Sequence, residues 1–243
     1  MRFICCGSSS KGNGYILDND SEALVIEAGL PLSEVSTALG YRTSTIKGLI
    51  VTHRHGDHAK YIQEYINAGI PVYCHEDVMT ESKVSQVYNL QHKQVVAVGG
   101  FSIIPLDVKH DVPCFAFLIK HKDLGVMLFA TDTPYLGYNF KGVTKVAIET
   151  NYCGSIIEDN IRSNKIDSKH ADRVILNHMS LETAVEYLAK DEFKYITDVF
   201  LLHLSHDNAD GVRFKAEVEK VQNKRVFVAK KGLSVELHPY TTF

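Results

Sequence analysis

Apolar residues in this chain fall in short continuous blocks separated by Gly, Pro, Asn and Asp, the mark of strands buried on both faces. Phe3 to Cys6, Tyr15 to Leu17 and Ala23 to Glu27 read as strands, the first two flanking the polar loop GSSSKGNG, residues 7–14. Gly48 to Val51, Ile70 to Cys74, Val95 to Val98, Phe101 to Val108, Cys114 to Ile119 and Val126 to Ala130 extend the series, and Gly99-Gly100 predicts a hairpin turn. Val146 to Ile148 and Val199 to Leu202 follow, and Arg225 to Ala229 with Leu233 to Leu237 read as a closing pair of strands. Helical spacing starts at Pro31, which opens a helix with Leu32, Val35 and Leu39 on one face, stopped by Gly40. Ala59 to Asn67, Glu76 to Val84, Leu181 to Ala189 and Ala209 to Val221 are the other predicted helices.

No linker, repeat or low-complexity tract divides residues 1–243, so a single domain is expected. Periodicity alone supports an α/β or α+β class. Strand-rich halves that each carry helices suggest two sheets packed face to face with helices outside, a four-layer αββα sandwich.

Composition adds restrictions. With 45% hydrophobic and 23% charged residues, the chain can fill a core. A net charge of −3 gives no global attraction to nucleic acid or to an anionic membrane, so a polyanionic substrate must be held locally or by metal ions. The five cysteines are an odd count without CxxC spacing and sit mostly in apolar runs; they read as buried thiols of a reducing compartment. No signal-peptide core and no 18-residue apolar run occurs, and a cytoplasmic protein without a membrane partner is expected.

The densest chemistry is VTHRHGDHAK, residues 51–60, directly after an apolar strand. Side chains two apart on an extended segment project to one side, so His53 and His55 can share one ion. Asp57 and His58, past a bend that Gly56 permits, can turn toward a second ion. A solvated loop leading into a helix would explain a lone pair of histidines; four metal-capable groups in six positions point to metal.

This run matches the HxHxDH signature of the metallo-β-lactamase superfamily, whose fold is the αββα sandwich. Three further segments resemble that family's later motifs: His110 in HDVPCFAF, Asp132 in FATDT and His203 in LLHLS, each at or just past a predicted strand. The resemblance implies a two-metal site, with His53, His55 and His110 on one ion, Asp57, His58 and His203 on the other, and Asp132 between them. Zinc suits the imidazole-rich set, with manganese or iron as the alternatives. Two such divalent ions would hold a bridging hydroxide, polarise a phosphoryl or acyl oxygen and stabilise the leaving oxygen.

Asp at position 132 disfavours the antibiotic-hydrolysing branch. The segment LNHMSLETA, residues 176–184, resembles an element of the ribonuclease Z-like branch, and the loop SSSKGNGY with LSHDNAD resembles the small bacterial YycJ/WalJ-like proteins. That similarity implies a role for His178 in protonating the leaving oxygen, with Glu149 orienting it and Asp57 catalytic as well as ligating. Ser9, Lys11 and Asn13, together with Asn208, are the expected substrate contacts, with Ser8 and Ser10 in the same loop.

Three departures matter. No insertion is long enough for the arm with which ribonuclease Z grips tRNA, Pro134 stands where the family has glycine, and only Lys141, Lys145, Lys165 and Lys169 are available for a basic patch. The expected activity is a metal-dependent phosphodiester hydrolase, a nuclease of the YycJ/WalJ-like kind. The alternative is a small cyclic-nucleotide phosphodiesterase, similar to phage proteins that defeat cyclic-nucleotide defence. A thioesterase or lactonase and a non-catalytic metal-binding protein are lesser readings. Relatives' pockets completed across a two-fold axis imply a homodimer.

Overall fold

Alternate residues of each central strand are buried on opposite sides, which is why the apolar blocks are continuous rather than alternating. The computed structural model describes residues 1–221 and 224–238. One sheet contains β1 (Arg2–Gly7), β2 (Gly14–Asp18), β3 (Ala23–Ile26), β4 (Ile46–Ile50), β5 (Val72–Cys74) and β6 (Val87–Asn89) in spatial sequence. The other contains β7 (Val96–Val98), β8 (Phe101–Val108), β9 (Cys114–His121), β10 (Gly125–Ala130), β11 (Lys145–Glu149), β12 (Asp198–Leu202) and β13 (Arg225–Val228). β14 (Leu233–Glu236) returns to the first sheet and pairs antiparallel with β1.

Phe3, Tyr15, Leu24 and Ile26 of the first sheet meet Phe117, Phe129, Phe200 and Leu202 of the second in the shared core, where the Phe3 and Phe200 rings stack 4.1 Å apart. The other faces are covered by helices. Ile4, Ile16, Val25 and Leu49 pack with Val35, Ile62 and Tyr65 on one side, and Leu128, Val146 and Val199 with Leu181, Leu188 and Phe214 on the other. The result is the expected four-layer αββα arrangement. The Gly99-Gly100 hairpin forms as predicted, with Val98 paired to Phe101. All five cysteines are buried and free, and no helix of the described residues is long and apolar enough to cross a membrane.

Four expectations need correction. The last two strands do not pair with each other. The Ala229 N–H donates to the Leu201 carbonyl and the Gly232 N–H to the Cys5 carbonyl, committing β13 and β14 to different sheets. The helix expected from Ala59 to Asn67 is two pieces, Gly56–Ala59 and Ile62–Asn67. Helices Gly154–Arg162 and Ser168–Asn177 were not anticipated; they are mostly polar and bury only a small cluster of Ile157, Ala171 and Val174 against Tyr152. Lys145 belongs to no surface patch: it is fully buried, and its ammonium donates to the His238 carbonyl at 2.9 Å.

Candidate metal centre

β3 and β4 run parallel, as do β10, β11 and β12, so their carboxyl ends open along one edge between the sheets. Glu27 follows β3, Thr52 and His53 follow β4, Asp132 follows β10, Glu149 ends β11 and His203 follows β12. Glu27, Asp132 and His203 have φ of 72°, 53° and 52°, left-handed conformations that side chains rarely adopt and that concentrate at functional sites. The turn between β8 and β9 supplies His110 and Asp111, and the short helix Gly56–Ala59 supplies Asp57 and His58.

These side chains form two adjoining donor clusters. In the first, His53 Nε2 lies 3.0 Å from His55 Nδ1, which is 3.3 Å from His110 Nε2, while Asp132 Oδ2 stands 3.6 Å from His53 Nε2. In the second, Asp57 Oδ2 is 3.3 Å from His58 Nε2 and 3.4 Å from His203 Nε2, and Asp132 Oδ2 is 3.4 Å from His58 Nε2. In each, the four donor atoms lie within 4.8 Å of one another.

The far sides of the rings show which nitrogens are free to ligate. The Thr52 hydroxyl donates to Glu27 Oε1 at 2.6 Å and so accepts from His53 Nδ1 at 2.9 Å, leaving the His53 Nε2 lone pair facing the cluster. His58 Nδ1 lies 3.2 Å from the same Glu27 oxygen. His203 Nδ1 donates to Glu149 Oε1 at 3.1 Å, and the half-exposed His55 directs Nε2 at Asp111, 3.4 Å away. Imidazole lone pairs this close repel unless a cation or a proton sits between them, and carboxylates behind the rings fix the ligating tautomers. The donor set therefore fits two divalent ions sharing Asp132.

Charges within the site act differently on its histidines. Burial and the His58 ring beside it hold His53 well below its ordinary pKa, as a neutral ligand requires. Burial alone would lower His203, but Asp132, Asp57 and Glu149 outweigh it and raise the group to about 10. Burial would likewise raise Asp132, but the charges of His203 and His58 hold its carboxyl well below the usual range.

Glu149 joins this centre to His178. Its Oε1 accepts from His178 Nδ1 at 2.7 Å, and its Oε2 accepts the Thr133 and Met179 N–H groups, each at 3.1 Å. His178 ends the helix Ser168–Asn177 and, with Asp57, Asp132 and His203, lines a cavity of about 300 Å³. Ser10, Arg173 and Asn177 form part of its wall. A larger groove, about 580 Å³, lies between the helix Gly211–Val221 and β13 and is lined by no histidine or cysteine among the described residues.

The sequence profile of the Metallo-beta-lactamase superfamily matches residues 10–134, more than half of the chain. The chain belongs to the metallo-β-lactamase superfamily. Among curated members it is 23% identical over 262 residues to exodeoxyribonuclease WalJ of Streptococcus pneumoniae (strain D39), covering 100% of this chain and 94% of that protein. It is 25% identical over 255 residues to exodeoxyribonuclease YycJ of Bacillus anthracis, covering 98% and 94%. Among solved structures, the metallo-β-lactamase fold protein YhfI from Bacillus subtilis superposes with a TM-score of 0.75 at 18% identity, covering 96% of this chain and 98% of YhfI.

Within this superfamily member all seven residues expected to ligate metal come together, and Glu149 and His178 adjoin them. The four residues expected to contact substrate are placed differently from one another. Asn13 is buried beneath the second cluster, its Nδ2 3.0 Å from His58 Nε2 and 3.3 Å from Asp57 Oδ2, while its Oδ1 accepts from the Tyr15 hydroxyl. Ser8 continues that support, accepting the His203 N–H at 2.8 Å. Asn208 is also buried and accepts from Asn160 Nδ2. Ser10 rather than Ser9 lines the cavity; Ser9 Oγ accepts the Lys11 N–H, and Lys11 itself is exposed.

Gly56 does not make the turn between the ligand pairs, since it opens a helix and a Cβ there would meet nothing within 4 Å. The required glycine is Gly29, where a Cβ would fall 1.7 Å from the Asp57 carbonyl oxygen. Glu27 and Asp111 went unnoticed in the sequence. A lone carboxylate closing the apolar run ALVI was the only sign of Glu27.

Proposed function

We propose that this protein is a metal-dependent phosphodiester hydrolase acting as a nuclease. The observation that carries the reading is Glu149, whose single Oε1 receives both His203 of the metal centre and the cavity-facing His178, at 3.1 and 2.7 Å. That contact sets a proton donor beside two candidate cation sites, as cleavage of a diester with a poor leaving group requires. The names of the WalJ and YycJ relatives support nucleic acid as the substrate.

His53, His55 and His110 would hold one ion and Asp57, His58 and His203 the other, with Asp132 shared. Bound there, two divalent cations supply Lewis acidity toward a phosphoryl oxygen and lower the pKa of water. The protein does the rest. Glu27 and Asp111 hold ring orientations, Glu149 keeps the His178 Nδ1 proton in place, and His178 Nε2 delivers a proton to the departing oxygen. Zinc fits the five imidazoles better than manganese. The buried free thiols support a cytoplasmic setting, and a homodimer rests on the family resemblance alone.

A second reading, a phosphodiesterase for cyclic mononucleotides, is favoured by the cavity of about 300 Å³, at the small end of ligand sites. Turnover by zinc- and manganese-loaded protein separates the two, using 5′-phosphorylated oligonucleotides, cyclic mononucleotides and bis(p-nitrophenyl) phosphate, with Asp132→Ala as the inactive control. Oligonucleotide degradation with inert cyclic nucleotides is the expected result. The reverse favours the second reading, and inertness toward all three by metal-loaded protein overturns both.

A further inference from the structure

We propose that Arg173 binds the phosphate adjoining the scissile one, so that the site takes a chain of phosphates rather than a lone diester. The inference rests on the phosphodiesterase reading and names the substrate feature that reading leaves open.

The protein has seven arginines. Asp18 holds Arg2 and Arg42, Asp77 and Glu81 hold Arg54, Asp159 holds Arg162, the Ser155 hydroxyl accepts from Arg213, and Asp198 holds Arg225. Among the described residues the Arg173 guanidinium alone has no hydrogen bond or ion pair. It is also, among the described residues, the only lysine or arginine on the wall of the catalytic cavity, alongside the carboxylates of Asp57, Asp111 and Asp132. An arginine left free where three carboxylates are within the same cavity has a fork open to an incoming anion, and its planar donors match phosphate in two places at once.

The backbone beneath Arg173 is fixed. Asp167 caps the helix by accepting the His170 N–H at 2.9 Å, Ala171 and Val174 are buried, and Asn177 Nδ2 donates to the Arg173 carbonyl at 3.1 Å. His178 stands five positions after Arg173, a rise of about 7.5 Å on a helix. The two side chains thus enter the same cavity from backbone positions far enough apart to meet neighbouring phosphates of one strand. A cyclic mononucleotide has no second phosphate, whereas every internal linkage of a nucleic acid does. Arg173 thus separates two substrate classes that share the same ligand set.

The test compares wild type, Arg173→Ala and Arg173→Lys. Steady-state kinetics are run on a 5′-phosphorylated single-stranded oligonucleotide and on bis(p-nitrophenyl) phosphate. The expected result for Arg173→Ala is a KM increase about tenfold larger for the oligonucleotide than for the small diester, the size of one lost charge-assisted contact. Binding of a phosphorothioate-blocked oligonucleotide, followed by fluorescence anisotropy, should lose about 0.7 from the slope of log K against log salt. Arg173→Lys should keep the slope and recover only part of the affinity.

Wild-type nuclease activity with KM and salt slope unchanged in Arg173→Ala overturns the proposal alone. Equal losses on both substrates, with the salt slope intact, also overturn it and reveal a structural role. A wild-type protein that hydrolyses cyclic mononucleotides and binds no oligonucleotide overturns it together with the nuclease reading.

Discussion

Replacing His178 with Ala removes an imidazole whose Nδ1 is committed to Glu149 at 2.7 Å and whose ring is about one-fifth exposed at the cavity. If its remaining nitrogen delivers the proton to a departing alkoxide, kcat on an oligonucleotide should fall by roughly 10²–10⁴, or about 3–5 kcal/mol of barrier. The same variant should lose less than about tenfold on bis(p-nitrophenyl) phosphate, because a nitrophenolate leaves as a stable anion without needing a proton.

The fold should survive. Glu149 keeps His203 Nδ1 and the N–H groups of Thr133 and Met179, so the loss is one hydrogen bond to a charged group, about 1.5–3 kcal/mol. Metal content, measured by atomic emission on purified protein, should match wild type. That measurement matters because Asp132, Glu149, His178 and His203 also lie within 4.8 Å of one another. Loss of an ion in His178→Ala would make the residue a ligand, and equal losses with both leaving groups would remove it from proton transfer. Either outcome refutes the assignment.

Two other perturbations follow from the structure. Asp111→Asn weakens the acceptor 3.4 Å from His55 Nε2 and should reduce metal affinity about 10- to 100-fold, read by competition with a chromogenic chelator; unchanged affinity would show that Asp111 does not orient His55. The second concerns acid stability. Burial alone would raise the Asp18 carboxyl, but the Arg42 guanidinium at 2.8 Å, the Asp20 N–H at 3.0 Å and the Arg2 guanidinium at 2.6 Å hold it below its ordinary value. A carboxylate depressed in the folded state stabilises fully above its unfolded pKa of about 4, and that contribution fades as pH falls through the folded value. Asp18→Asn should therefore have a lower urea midpoint than wild type at pH 7, with the gap narrowing below about pH 4; a gap independent of pH would show that the ion pairs carry no net linkage.

The candidate ligands were legible because chemistry and pattern coincide at them: a dense HxHxDH run, then His110, Asp132 and His203 at the ends of apolar blocks. What the chain does not reveal is which strands become neighbours. Glu27 matters because β3 lies parallel to β4, with Ile26 opposite Ile50, which brings the Thr52 N–H and hydroxyl onto its carboxylate at 3.2 and 2.6 Å. Read alone, it is a charged residue ending a strand. Asn13 misled for the opposite reason. Serines, a lysine and glycines around it predict a solvated loop, yet the Asn13 N–H donates to the Asp57 carbonyl at 2.8 Å and tucks the residue under the site. Periodicity likewise found β13 and β14 but not their partners, which are fixed by contacts with residues 201 and 5.

Three positions around the centre share a backbone feature that bears on how it is held. Glu27, Asp132 and His203 adopt left-handed backbone conformations at the ends of three strands whose side chains pack the core between the sheets. Such conformations cost of order 1–3 kcal/mol each and persist only where surrounding structure enforces them. Here the enforcement is local and visible. The Glu27 N–H donates to the Ile50 carbonyl at 2.9 Å, the Thr131 hydroxyl donates to Asp132 Oδ1 at 2.7 Å, and the His203 N–H donates to Ser8 Oγ at 2.8 Å. Donor atoms that repel one another are therefore aimed at shared points by the sheets and their loops. A centre built this way keeps its ligands aimed while substrate and product exchange at the open side, where His178, Asp111 and Arg173 line the cavity.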